Sequence, residues 1–264
     1  MTTTARRLVR LHQRLPQAVA ALGQRAAPFL LVALTWQVAA TAAATPLLPT
    51  PEAVLAALVV ESVHGPLVHH LAATLSRVAL CFTLAMGLGT ALGIAMGASV
   101  RLNHWVDPWL QLFLNIPAMV VAILAYVWLG LGETAAIIAV TVSKLPNVVV
   151  IMRQGARQRD RELAEMARVY RFPLQAWLFD LLFPELAPYF LAAMRSGLSL
   201  VWKIVLLVEL LGRSSGIGFQ LQMYFQVLDI THILAYAASF MLAIHFIEVF
   251  LLTWMDRRVA RWQR

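Results

Sequence analysis

Apolar residues in this chain gather into long runs separated by short polar or proline-bearing stretches. The runs are Pro28–Ala44, Leu71–Gly97, Pro108–Leu131, Thr134–Met152, roughly Pro188–Leu211, and Ile233–Met255. Each approaches or exceeds the ~20 apolar residues that an α-helix needs to cross a bilayer, so six spanning helices are expected. The third run is interrupted by Asn115-Ile116-Pro117. Ahead of the second run, Thr50-Pro51-Glu52 supplies an N-cap hydroxyl, a proline for the first helical position and an acid for the first turn. The apolar piece behind it, Ala53–Val60, is too short to span and predicts a short helix at the outer surface. Gly89, Gly93 and Gly97 recur every four residues along the second run. That places a flat strip on one helix face, where a neighbouring backbone can approach closely.

Composition supports spans over a soluble core. Of 264 residues, 61% are hydrophobic and 13% charged, with a mean hydropathy of +0.75. A soluble domain lies nearer half apolar and a quarter charged, which excludes a soluble enzyme. The net charge of +8 would fit nucleic acid or acidic lipid, but in a membrane protein it first reports topology. Of the 21 lysines and arginines, 16 fall at 1–27, 101, 153–171 and 257–264. Connections on the other side hold Arg213 together with Glu52, Glu61, Glu133 and Asp229. The asymmetry puts both termini in the cytoplasm. Residues 1–27 form a basic cytoplasmic segment, 28–255 the transmembrane domain, and 256–264 a basic tail suited to anionic lipid. Ala42 and Ala44 have signal-peptide spacing, but the long charged lead and the later spans favour an uncleaved first helix. Trp105, Trp109 and Trp254 read as interface anchors.

The one cysteine, Cys81, precludes an intrachain disulfide. A nucleotide-binding P-loop needs Gly-Lys followed by Ser or Thr. The two lysines, Lys144 and Lys203, precede Leu145 and Ile204, so ATP is not bound here by that motif.

The longest cytoplasmic connection, 153–183, carries Arg161-Glu162-Leu163-Ala164-Glu165-Met166-Ala167-Arg168, a charged segment of good helix formers. By spacing alone it reads equally as a solvated linker face. In order, however, it resembles the "EAA" loop of ABC-importer permeases: Glu-Ala-Ala, three residues, Gly, nine residues, Ile-x-Leu-Pro. Glu165-Met166-Ala167 stands for the first element, and Leu181, Phe183 and Pro184 for the last. Arg171 stands where the pattern has glycine, which removes a flexible turn. Over about residues 45–262 the chain is similar to the nitrate/sulfonate/taurine-type permeases. The similarity is carried by Leu48-Pro49-Thr50-Pro51, His70 to Val78, Gly130-Leu131-Gly132-Glu133, Ala193-Met194-Arg195, Trp202, Val208-Glu209 and Gly212 to Gly218.

The resemblance implies an all-α integral membrane protein of the bacterial inner membrane, with the type I ABC importer permease fold and a cytoplasmic coupling helix. Arg161, Glu162, Glu165, Met166, Ala167, Arg168, Arg171 and Pro184 would then form the ATPase-coupling loop. It also implies a second permease subunit, usually an identical copy, two ATP-binding subunits and an extracytoplasmic solute-binding protein. ATP would be bound by the partner, leaving this chain without a cofactor and without a catalytic or metal site.

Charged residues within spans are costly and normally face the bundle interior or a cavity. Arg195, Trp202 and Glu209 are spaced by seven, suggesting one stripe about 21 Å long on the fifth helix, bordered by Lys203. Lys144 lies mid-span, two residues before Pro146, where freed carbonyls can line a cavity. These five are the translocation-path candidates. The competing reading pairs Arg195 or Lys203 with Glu209 or Glu248. Four span cations (Arg77, Lys144, Arg195, Lys203) against those two acids leave positive charge in excess, offset in part by Glu185 at the inner entrance. That excess suits a small anion such as a sulfonate, nitrate or carboxylate. Glu61, His64, His69 and His70 lack metal-ligand spacing and read as surface groups. His245 and Glu248 are expected to form a hydrogen-bonded pair. An ATP-independent secondary transporter or channel is the alternative function. It would need no docking loop and would keep coupling acids at the midplane.

Overall fold

The computed structural model describes residues 27–259. The expected basic N-terminal segment, the end of the tail, and the side chains of Trp254 and of the tail from Asp256 lie outside the described residues. A short apolar helix, α1 (Ala27–Ala43), precedes α2 (Pro51–Val63). Thr50 caps α2 as expected, its hydroxyl accepting from the Ala53 N–H at 3.3 Å. Then follow α3 (Leu67–Ala98), α4 (Val100–Asn115), α5 (Ala118–Leu129) and α6 (Glu133–Arg157). The loop carries α7 (Arg161–Val169) and a single turn, α8 (Leu174–Ala176). A π-helical stretch, Trp177–Leu182, runs on into α9 (Phe183–Gly212), before α10 (Ile217–Gln226) and α11 (Ile230–Val259).

By length and composition, four helices can cross a membrane: α3, α6, Trp177–Gly212 and Ile230–Leu251 of α11. The expected third span is not one straight helix. It is the pair α4–α5, bent by 99° at Ile116-Pro117. Pro117 has no N–H to continue the ladder and forces the residue before it out of the helical region. Ile116 is accordingly extended (φ −75°, ψ 125°). The six expected spans thus become four long helices, one bent pair and the shorter α1.

The glycine strip lies on α6. A Cβ on Gly89 would meet Val148 Cβ at 2.7 Å, and one on Gly93 would meet Met152 Cβ at 2.7 Å and the Val149 carbonyl at 2.8 Å. Gly97 sits in the same way on Ala156. Rising numbers meet rising numbers, so α3 and α6 run parallel, and α4–α5 carries the chain back between them. α9 runs antiparallel to both, with Gly155 of α6 under the Tyr189 ring and Gly197 under the Lys144 side chain. Val78, Cys81, Val140, Val201, Val205, Val208 and Tyr236 fill the core between these helices.

Candidate functional site

The start of α10 is held by three side-chain hydrogen bonds in the core. Helix N-termini leave their first N–H groups unpaired, and here three buried side chains take them. Gly216 N–H donates to His70 Nδ1 at 3.0 Å, Ile217 N–H to Thr74 Oγ1 at 2.8 Å, and Gly218 N–H to Glu209 Oε2 at 2.9 Å. A carboxylate there also suits the helix dipole. Gly216 has φ +114°, and a side chain on it would run into the Glu209 carboxylate. His70, expected at the surface, is therefore buried.

Arg77 of α3 gathers the rest. Its Nη1 donates to Glu209 Oε1 at 2.5 Å, its Nε to Glu133 Oε1 at 2.5 Å and its Nη2 to Ser215 Oγ at 2.8 Å. Thr74 adds its hydroxyl to Glu209 at 2.8 Å. Arg213 closes the far side, 2.8 Å from Glu133 and 3.0 Å from the Leu131 carbonyl. Glu209, wholly buried, thus has Arg77 as its ion-pair partner, and not the Arg195 or Lys203 expected from sequence. The arrangement ties α3, the start of α6, the end of α9 and the start of α10 into one unit.

The expected stripe on α9 is split. Arg195 and Lys203 lie on the exposed face, whereas Trp202 (4% exposed) and Glu209 (0%) turn into the core. Arg195 and Trp202 differ by only about 20° around a straight helix, so the split comes from the neighbours along its length: α11 covers Trp202 through Phe240, and the start of α10 takes the Glu209 carboxylate. Trp202 packs edge-on to Phe240, ring centroids 6.0 Å apart. Lys203 and Glu248 share a groove of about 340 Å³ between α9 and α11, with no ion pair between them among the described residues. The expected His245–Glu248 hydrogen bond is likewise absent among the described residues.

Lys144 of α6 is enclosed where α6 crosses α9. It is 1% exposed, and its Nζ donates to Asn147 Oδ1 at 2.9 Å. It does not stand in an open cavity behind Pro146, because Gly197 admits its head into the helix contact: a Cβ there would meet Lys144 Cε at 2.9 Å. Among the described residues no carboxylate pairs with it. Asn147 and Ser196, which surround this cation, were not singled out from sequence. The i, i+3 spacing of Lys144 and Asn147 was the available signal.

The long loop is anchored to the helices on both sides. Arg159 pairs with Glu185 at 2.9 Å and lies 5.1 Å over the Trp177 ring, and Asp160 N–H donates to Glu185 at 3.3 Å. Tyr189 hydrogen-bonds Gln158 across the same junction. Glu185 is therefore engaged in the loop and does not offset the span cations. Asp160 caps α7, its carboxylate accepting from Glu162 N–H at 2.8 Å. α7 buries Ala167 and exposes Glu162, Leu163, Glu165 and Met166. The side chains of Arg161 and Arg168 lie outside the described residues. Pro184 begins α9 within its first turn. The turn expected to be lost with the glycine is kept. Arg171 itself adopts φ +49°, and Phe172 N–H donates to the Ala167 carbonyl at 3.0 Å, the six-to-one bond of a helix terminus that usually holds glycine.

Residues 86–261 match the family described as binding-protein-dependent transport system inner membrane component. The chain belongs to this family. It is an ABC-importer permease of the nitrate/sulfonate/taurine type. It is 28% identical over 241 residues to the taurine transport system permease protein of Escherichia coli, covering 88% of this chain and 86% of that one. It is 33% identical over 204 residues to a protein of the same organism named as an aliphatic sulfonates transport permease, covering 74% and 76%. A nitrate import permease of Synechocystis matches at 28% over 147 residues, covering 56% and 54%.

In this permease the segments that carry the sequence resemblance are brought together by the fold. His70, Thr74 and Arg77 from one, Glu133 from another, Glu209 from a third and Ser215 to Gly218 from a fourth make up the α10 cluster. Every nitrogen of the Arg77 guanidinium is paired inside it, so its chemistry is that of a lock between helices. The Lys144 site has the opposite character, a cation with no carboxylate partner among the described residues.

Proposed function

We propose that this permease works as a pair of copies with two ATP-binding subunits and an extracytoplasmic binding protein. In this reading it moves a small solute with an anionic group, such as nitrate, a sulfonate or the sulfonate-bearing zwitterion taurine, across the inner membrane by alternating access. The observation that carries the reading is the seating of α7. The helix is short, offers Glu162, Glu165 and Met166 outward, and is tied by Arg159–Glu185 to the junction of two spanning helices. A push on α7 from an ATPase subunit would be passed directly to α6 and α9. Arg161, Glu162, Glu165, Met166, Ala167, Arg168, Arg171 and Pro184 form this coupling element.

α1, α3, α4–α5, α6, Trp177–Gly212 and α11 make six crossings in this reading, with both termini cytoplasmic by the distribution of arginine. Exposed Lys203 on α9 cannot lie against lipid chains without cost, which supports a second copy across a solute path. The relatives named for taurine, sulfonates and nitrate support an anionic solute.

The test is co-purification with the ATPase followed by uptake in proteoliposomes. Uptake should require ATP, and Glu165→Ala should lower ATP turnover while leaving the permease folded. Uptake by the chain alone, without ATP, would instead establish a secondary transporter or channel.

A further inference from the structure

We propose that Asn147 is a solute-contacting residue of the permease, presenting its amide N–H groups to an anion, and that buried Lys144 and Ser196 hold it in that orientation. The inference rests on the import reading above and adds to it an anion-binding point within the membrane.

The chemistry of the donors fixes the orientation. A lysine ammonium has three donors and no acceptor, so the amide end facing Lys144 Nζ at 2.9 Å must be the carbonyl oxygen. Ser196 Oγ lies 3.2 Å from that same oxygen. With Oδ1 turned inward, Nδ2 and its two N–H groups point the other way. Asn147 is half-buried, and among the described residues nothing accepts from its Nδ2. The side chain is thus anchored at its acceptor end and open at its donor end.

The surroundings suit an anion. Ser196 stands on the face of α9 that also carries exposed Ser199 and, about 10 Å further along, Lys203, so the open end of Asn147 lies at one end of a polar strip. An isolated buried charge is costly, and here no carboxylate relieves it. Oxygens of a nitrate, sulfonate or carboxylate would accept from Nδ2 while feeling the ammonium one residue behind. This placement also suits transit. A site in a path must attract its solute yet release it, and a cation in direct contact would hold an anion harder than one acting through an amide.

Asn147 is the contact and Lys144 a positioning residue, so the test separates the two. The assembled transporter, permease with its ATPase and binding protein, is reconstituted in proteoliposomes. Radiolabelled nitrate, ethanesulfonate and taurine are the probes, and anion moved per ATP hydrolysed is the readout. Asn147→Asp turns a carboxylate oxygen toward the path, and the ratio should fall roughly tenfold to a hundredfold, the range of a lost charge-assisted hydrogen bond. ATP hydrolysis stimulated by the binding protein should persist. Lys144→Met should lower the ratio similarly, and Lys144→Gln, which restores a donor to Asn147 Oδ1, should recover part of it. A merely structural role would lower hydrolysis and transport together, with no rescue by glutamine.

If the wild type moves one of these anions and all three variants match its ratio, the inference fails and the import reading stands. If Asn147→Asp does not assemble, the two Lys144 variants decide: equal ratios in both overturn the proposal. If the wild-type complex hydrolyses ATP but moves none of the three anions, the anionic-solute reading fails, and this inference with it.

Discussion

Two buried cations in this permease have opposite surroundings. Arg77 meets the carboxylates of Glu209 and Glu133 and the hydroxyl of Ser215. Lys144, still further from the surface, meets one neutral amide. The first arrangement uses every nitrogen of the Arg77 guanidinium and ties α3 to three helix ends. The second keeps a positive charge with no carboxylate beside it among the described residues, within the membrane domain, where such a charge is tolerated mainly for function. Burial alone therefore does not distinguish a lock from a working site. The presence or absence of a counter-charge does.

The comparison breaks most visibly at Arg77. Arg77→Met would leave Glu209 buried without its cation, and losing one member of a buried pair costs about 3–5 kcal/mol. The purified variant should melt well below wild type, and adding Glu209→Leu should recover part of the loss, because coupled residues are not additive. An unchanged melting temperature for Arg77→Met would show that the network is not a lock.

The glycine seam gives the next effect. Gly93→Leu forces a side chain against Met152 and the Val149 carbonyl and should destabilise by about 1–3 kcal/mol, as overpacking generally does. Gly87, on the same helix with open space around it, serves as the control: Gly87→Ala should leave thermal unfolding nearly unchanged.

At Lys144 the sign differs. Replacing a buried charge by an apolar chain of similar volume is often neutral or stabilising, so Lys144→Met should keep or raise the melting temperature while lowering anion uptake. The smallest effect belongs to Arg171. A non-glycine residue in the left-handed region carries about 1–2 kcal/mol of strain, part of which Arg171→Gly should release. Hydrogen exchange at Phe172, whose N–H closes the turn, should slow by a few-fold.

How much of this was legible beforehand depended on the range of the interaction. The α3 strip was readable because a four-residue period maps onto one helix face whatever the neighbour. The Thr50 cap and the break at Asn115-Ile116-Pro117 were likewise local, although the break gave no hint of a 99° turn. The Glu209 partner was not readable, because Arg77 is 132 residues away in sequence and only packing of α3 on α9 brings them together. The stripe Arg195–Trp202–Glu209 failed for a tertiary reason: seven residues keep nearly one face of a helix, but α11 and α10 cover that face at Trp202 and Glu209. Arg171 was read as the loss of a turn because side-chain identity was allowed to decide a backbone conformation that the surrounding hydrogen bonds maintain. Asn147 and Ser196 carry no charge, so the intramembrane charge that marks Lys144 does not mark them.

The most direct test places Lys144→Met beside Arg77→Met in the reconstituted transporter, measuring thermal unfolding and ATP-dependent anion uptake per folded complex. The account predicts that Lys144→Met keeps the wild-type melting temperature and loses uptake, whereas Arg77→Met loses stability first. A Lys144→Met protein that melts lower and transports at the wild-type rate per folded complex would contradict it.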